Sequence, residues 1–304
     1  MPLVWQLSVT HFTNKTILRG VLIDEMPFRF NSKSGKLRNL VIILRSYFAR
    51  SVANEEISIV INGDHIRTKT DTKGAFSISY DSVINEEINI YYGNDSTPLE
   101  IAQRYPVVFP ETSGKYEVIS DIDDTIMVSY TADVFKRVGT VAFISPYRRK
   151  TINYTKDLFK EFEDQQSRFF YVSKSEENLF GMITTFIDHN GFPKGEIFLT
   201  PYLKFSQLLT SKKSKKFKEQ RINAIMENSN KQFILVGDDS QLDMDTYTSL
   251  AEKHSNRISR IFIRQTKKRR SKLQLQKWNR LQSTGVRSTY FNNDEHFDKT
   301  ILLS

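Results

Sequence analysis

The stretch VISDIDDTIMV, residues 118–128, places three carboxylates within four positions directly after an apolar run. Negative charge at the end of a buried strand costs stability, so the stretch asks for a chemical explanation. The run before it, YEVIS (116–120), is one of four near-continuous apolar segments. The others are RFFYVS (168–173), FILV (233–236) and RIFI (260–263). Helical patterns fall between them, at 155–163, 177–189, 215–227 and 245–254. Buried strands alternating with helices predict a parallel sheet with helices on both faces, an α/β three-layer domain. In such sheets ligands bind at the carboxyl ends of the strands.

Each predicted strand end carries polar groups. The first gives Asp121, Asp123 and Thr125, the second Ser173, and the third Gly237, Asp238 and Asp239 with Asp243 nearby. Lys218 lies on an intervening helix whose inner face carries Ile222 and Ile225. If the segment is extended, Asp121 and Asp123 face the same way, two positions apart. This set suits phosphoryl transfer. A carboxylate cannot approach a phosphate monoester without a counter-ion, and Asp121, Asp123 (through its backbone) and Asp238 offer hard oxygen ligands for Mg²⁺. Asp121 is the expected nucleophile and Asp123 the acid and base. Thr125, Ser173 and Lys218 are the expected phosphate ligands, with Asp239 and Asp243 standing behind the metal.

The combination Asp-x-Asp-x-Thr, strand-end Ser, Lys and Gly-Asp-x-x-x-x-Asp resembles the haloacid dehalogenase superfamily. SDIDDTI, FFYVSKSEENLF, FIDHNGFPKGEIFL and FILVGDDSQLDMDTY are similar, more narrowly, to the phosphatidate phosphatase family first described in yeast actin patches and to its bacterial relatives. The resemblance covers about residues 115–265. It implies Asp121 as nucleophile, Asp123 as acid/base, Ser173 and Lys218 as phosphate ligands, and Asp238 as metal ligand. Where the family commonly reads Ser-x-Ser-Pro-Trp-Asn, this chain has Ser173-Lys174-Ser175-Glu176-Glu177-Asn178. Its usual Asp-Pro-Glu is here Asp243-Met244-Asp245. About 50 residues separate Asp121 from Ser173, which leaves room for a minimal cap only.

Up to residue 112 the texture is different. EISIVI (56–61), AFSISY (75–80) and INIYY (88–92) alternate with period two and are separated by turn signals at Asn62-Gly63 and Asp71–Gly74. Short strands at this spacing predict an all-β, sandwich-like domain over 1–112. TKTDTKGAFSI resembles the turn-plus-strand signature of transthyretin-like modules, and RGVLI (19–23) is similar to the β-domain preceding the catalytic domain in the phosphatidate phosphatase family. The expected organisation is therefore 1–112, 113–266, and a basic helix or tail at 267–304.

The chain has 304 residues, 39% of them hydrophobic and 26% charged, enough for about two domains with real cores. It has no cysteine, which excludes disulfides and thiolate chemistry and fits a reducing, cytoplasmic setting. The five histidines are scattered without ligand spacing. The net charge of +9 is concentrated. Residues 264–287 carry nine Lys or Arg and no acid, and residues 211–221 carry six against one Glu, so the remainder is about −5. Two such patches point to a polyanionic partner. RSKLQLQKWNRLQ (270–282) reads as a basic amphipathic helix around Trp278, the pattern of an interfacial anchor on an anionic membrane; packing of Trp278 on the catalytic domain is the alternative. Phosphatidate is the leading substrate. Nucleic-acid ends, a soluble phosphomonoester, and an inactive lipid-binding module of the same fold are the alternatives.

Overall fold

The computed structural model describes residues 1–27, 29–33, 35–84, 87–129, 143–201, 216–240, 242–292 and 295–302. The first half opens with two long strands, β1 (Leu3–Phe12) and β2 (Lys15–Ile23). Helix α1 (Lys36–Phe48) follows, then β3 (Glu56–Ile61), β4 (Asp64–Lys69), β5 (Ala75–Tyr80), β6 (Asn89–Tyr92) and β7 (Val108–Phe109). They form one sheet in the order β5-β2-β1-β7 and another in the order β4-β3-β6. Leu7, Val9 and Leu18 of the first sheet share an apolar cluster with Ile57, Ile59 and Ile61 of the second.

The turn signals act as their chemistry requires. Asn62 and Gly63 join β3 to β4 with φ of 48° and 83°, the left-handed pair of a tight hairpin. Helix α1 corrects the all-β expectation. Its apolar run LVIIL has no clean helical period, because residues on more than one side of it are apolar.

The second half contains β8 (Tyr116–Ser120), α2 (Asn153–Asp164), β9 (Arg168–Glu176), α3 (Phe180–His189), β10 (Glu196–Thr200), α4 (Phe217–Asn228), β11 (Gln232–Asp238), α5 (Asp243–His254), β12 (Ile258–Arg264), α6 (Lys272–Gln282) and β13 (Ser288–Phe291). One sheet runs β10-β9-β8-β11-β12-β13, with every pair parallel. Period-two alternation divides its side chains between two apolar layers. Val118, Phe169 and Val236 pack with Leu158 and Phe159 of α2 and Ile183 of α3. Ile119, Phe170 and Leu235 pack with Ile222 and Ile225 of α4 and Leu250 of α5. The carboxyl ends of β8, β9 and β11 therefore meet at one rim. Residues 130–142, within the interval expected to hold the minimal cap, lie outside the described residues.

The division expected at residue 266 falls inside this sheet. β13 is its edge strand beside β12, and Trp278 and Leu281 of α6 belong to the same apolar layer as α4 and α5. Four-residue STYF is too short to read as a strand until a neighbour supplies its hydrogen bonds. The two halves also join through specific contacts. Trp5 meets Phe180 edge-on at 5.2 Å, the Tyr105 hydroxyl donates to the Gly195 carbonyl at 2.9 Å, and Ser8 Oγ donates to Glu196 at 2.8 Å.

Candidate active site

Asp121 follows the last residue of β8, and its N–H still donates to the Val236 carbonyl of β11 at 2.9 Å. Asp238 is the last residue of β11, and Asp243 is the first of α5. Between them Gly237 has a packing reason. A Cβ there would lie 2.6 Å from Asp243 Oδ2 and 2.8 Å from the Tyr247 ring. Its absence lets Asp243 fold back beneath the strand end. One carboxylate oxygen from each of Asp121, Asp238 and Asp243 then lies within 4.8 Å of the others, and all three residues are buried.

Lys218, near the start of α4, is buried among them. Its Nζ is 2.8 Å from Asp121 Oδ1 and 2.5 Å from Asp243 Oδ1. Three carboxylates thus face one ammonium. Asp121 Oδ2 and Asp238 Oδ2 have no hydrogen-bond partner among the described residues. Burial pushes the Asp121 carboxyl up to about 7; Lys218 opposes the shift, and Asp243 and Asp123 add to it. Burial, then Asp243 and Asp121, also hold Asp238 well above the usual carboxylate range. For Lys218 burial acts downward, but Asp121 and Asp243 together hold it above the ordinary lysine value. The cluster is short of positive charge, which is what a divalent cation supplies, and the all-oxygen donor set suits a hard one. Asp121 and Asp238, with Asp243 beside them, fit such an ion.

Asp123 belongs to a neighbouring group. After Asp121 the chain leaves the extended form: Thr125 N–H donates to the Ile122 carbonyl at 3.3 Å, and Asp124 has φ of 58°. Asp123 Oδ2 accepts from Ser175 Oγ at 2.5 Å and from Ser173 Oγ at 3.3 Å. Asp123 thus has hydrogen-bond partners of its own, while lying near enough to Asp121 for its charge to add to the upward shift of the Asp121 carboxyl. The carboxylate that joins Asp121 and Asp238 in the cluster is that of Asp243. Ser175 is a residue the sequence reading missed, although two-residue alternation from Ser173 along β9 points to it. Arg149 was missed as well, since nothing in its local pattern marks it. It is buried, and that burial lowers its pKa to about 10 against the opposing charge of Asp123.

Thr125 is fully buried, and its Oγ1 has no hydrogen-bond partner among the described residues. Asp239 turns away from the cluster. It accepts from Thr266 Oγ1 at 2.5 Å and from Tyr290 OH at 2.6 Å, tying β11 to the C-terminal segment.

Of the basic patch at 211–221, residues 211–215 lie outside the described residues, Lys216 is exposed and Lys218 is in the cluster. The second patch rims a cleft beside Asp239 and Ser240, lined by Lys267, Arg269, Arg270 and Lys277. For Trp278 the packing alternative holds. Trp278 is only 8% exposed and meets the Tyr290 ring at 4.9 Å, while Lys277 and Arg280 pair with Asp245 and Glu252 of α5. Trp278 and Leu281 face the domain because α5 offers them an apolar floor and acidic partners, while Leu273 and Leu275 stay exposed. Among the described residues no helix is long and apolar enough to cross a membrane.

Residues 116–265 match the family model described as the catalytic domain of phosphatidate phosphatase APP1. Phosphatidate phosphatase APP1 of Saccharomyces cerevisiae is 31% identical over 204 residues, covering 64% of this chain and 34% of that protein. An uncharacterized protein of Schizosaccharomyces pombe is 25% identical over 148 residues, covering 48% of this chain and 24% of its own length. The chain thus spans about a third and about a quarter of the length of these two curated relatives. Among solved structures, a class C acid phosphatase from Bacillus anthracis with tungstate bound is 15% identical, covering 48% of this chain and 64% of that one, at a TM-score of 0.33. A Pnkp1/Rnl/Hen1 complex is 11% identical, covering 67% and 55%, at a TM-score of 0.34. Both scores are too low to carry an argument. The sequence match at residues 116–265, which spans Asp121, Ser173, Lys218 and Asp238, makes this part of the chain similar to the phosphatidate phosphatase APP1 catalytic domain.

Proposed function

We propose that the chain is a Mg²⁺-dependent phosphomonoester hydrolase that works through an aspartyl-phosphate, with phosphatidate as its leading substrate. The observation that carries this reading is the three-to-one imbalance of buried carboxylate over ammonium at the strand ends, with an unpartnered oxygen on both Asp121 and Asp238.

A cation held by Asp121 and Asp238, and by the backbone at Asp123, would offset the charge of the incoming phosphate. Lys218 fixes the Asp121 carboxylate through Oδ1. Asp121 then attacks phosphorus through a carboxylate oxygen, forming a bond from oxygen to phosphorus as the ester P–O bond breaks. Asp123, held by the hydroxyls of Ser173 and Ser175, gives its proton to the leaving alkoxide. The resulting Asp123 carboxylate takes a proton from the water that cleaves the aspartyl-phosphate, restoring both groups. Ser173, Thr125 and Lys218 would meet the phosphoryl oxygens as charge spreads over them.

Phosphatidate leads because the yeast relative carries that activity in its name and because Lys267, Arg269 and Arg270 rim a cleft next to the Asp238–Asp239 loop. The enzyme would then act from the cytoplasm on an anionic membrane surface. The test is a substrate panel of phosphatidate in mixed micelles, a soluble phosphomonoester and 3′-phosphorylated DNA. Each is assayed with Mg²⁺ and with EDTA. Phosphate release from phosphatidate that requires Mg²⁺ is expected. Release only from DNA would transfer the assignment to nucleic-acid ends, and turnover unaffected by EDTA would overturn the metal.

A further inference from the structure

Helix α1 carries two apolar faces. Ile42, Ile43 and Tyr47 are buried against the rest of the protein. On the opposite side Leu37, Val41, Leu44 and Phe48 recur at intervals of four, three and four, so they form a second stripe along the helix. Leu37 is 76% exposed and Val41 47% exposed, and Phe48 is exposed as well. A soluble protein has no use for a second apolar stripe facing water.

The segment that carries the stripe is basic. From residue 26 to residue 54 there is no acid, and Arg29, Lys33, Lys36, Arg38, Arg45 and Arg50 are all exposed. This third basic region was hidden in the overall tally because acids elsewhere in the remaining chain outweigh it. Its amino-terminal charges do not serve the helix, although Arg45 in the last turn complements the dipole. Lys36 and Arg38 sit in the first turn, where the helix dipole disfavours cations, and Gly35 gives no side-chain cap. The helix is held by packing, and its amino-terminal cations oppose it.

The position of α1 connects it to the site. Asn178 Nδ2 donates to the Ser46 carbonyl at 2.8 Å, and the Tyr47 hydroxyl lies 3.4 Å from Glu176 Oε2. Glu176 directly follows Ser175, whose hydroxyl holds Asp123. The helix is therefore pinned to the carboxyl end of β9, beside the candidate catalytic groups.

We infer that α1 is an interfacial docking helix, with Leu37, Val41, Leu44 and Phe48 entering the surface of an anionic membrane and the six basic residues meeting its head groups. This deepens the phosphatidate reading, on which it rests for the choice of surface. A lipid surface is favoured over a protein partner on size. Four side chains along about 16 Å of helix fall short of the roughly 800 Å² per partner of a standard protein interface, whereas shallow insertion needs no more than such a stripe. The basic rim is complementary to anionic lipid.

The test uses the full chain and vesicles of phosphatidylcholine with or without phosphatidylserine, neither of which is a phosphomonoester. Wild type should float with the phosphatidylserine vesicles, and binding should weaken as salt rises. Leu37→Gln with Val41→Gln, and separately Lys36→Gln with Arg38→Gln, should each weaken vesicle binding by about tenfold. Both should lower phosphatidate turnover on vesicles and leave a soluble phosphomonoester unaffected. The second pair leaves the apolar stripe intact, so it answers even if the first pair disturbs the helix. Wild type that ignores phosphatidylserine vesicles, or variants that bind them as wild type does, would overturn the inference. A dimer that becomes monomeric in Leu37→Gln with Val41→Gln, with vesicle binding unchanged, would assign the stripe to a second copy and overturn it too. Failure of the function reading looks different: no turnover of any phosphomonoester by wild type, with vesicle binding as predicted.

Discussion

At the amino-terminal end of the parallel sheet, Glu117 of β8 and Arg168 of β9 are buried side by side in register. Arg168 donates to Glu117 Oε1 and to the His11 carbonyl, and its guanidinium lies between the Phe12 and Phe170 rings at 4.7 and 4.9 Å. At the carboxyl end of the same sheet, Asp121, Asp238 and Asp243 cluster with Lys218, which pairs with Asp121 and Asp243. Both places bury charge, but the first pairs one carboxylate with one guanidinium while the second gathers three carboxylates around one ammonium among the described residues. A balanced buried pair fixes strand register and joins two domains. An unbalanced one raises carboxyl pKa values and costs stability, so it is retained for what it binds.

The contrast can be broken from either end. Asp121→Asn removes the proposed nucleophile, not a core contact. Turnover of a soluble phosphomonoester should fall by on the order of 10⁴-fold while circular dichroism is unchanged. Glu117→Gln should do the reverse. It strands Arg168 as an unpaired buried charge and should cost about 3–5 kcal/mol in denaturant unfolding, with turnover per folded molecule preserved. Gly237→Ala forces a Cβ against Asp243 Oδ2 and Tyr247, so a loss of about 1–3 kcal/mol is expected, together with weaker Mg²⁺ activation. Ser175→Ala should have the smallest effect, about a tenfold loss of rate at unchanged stability, because Ser173 still holds Asp123.

Much of this was legible in the sequence. The four apolar strands were located to within a few residues, since burial on both faces of a parallel sheet leaves continuous apolar runs. Asp121, Lys218 and Asp238 were read from their places after strands and on an inward helix face, and the structure brings them together. What was not legible depended on distant partners. β1 and β2 are buried along most of their length because β1 packs between the second sheet and the catalytic domain, which erases the two-residue alternation. α1 hid its period because it carries two apolar stripes. Asp243 was underrated because its carboxylate reaches the cluster only through the space left by Gly237. Trp278 was misassigned because the acids and apolar floor that draw it inward lie on α5, more than twenty residues earlier.

The most direct test of the central claim, that the acid cluster is a cation site and the Glu117–Arg168 pair is structural, is the thermal unfolding midpoint with and without saturating Mg²⁺. At a hundredfold excess over its dissociation constant a bound ion stabilises by about 2.7 kcal/mol. Wild type and Glu117→Gln should therefore both gain several degrees with Mg²⁺. Asp238→Asn should gain nothing, and without metal it should melt above wild type because one repulsive carboxylate is gone. A wild type whose midpoint does not move, or an Asp238→Asn variant that gains as much as wild type, would contradict the claim.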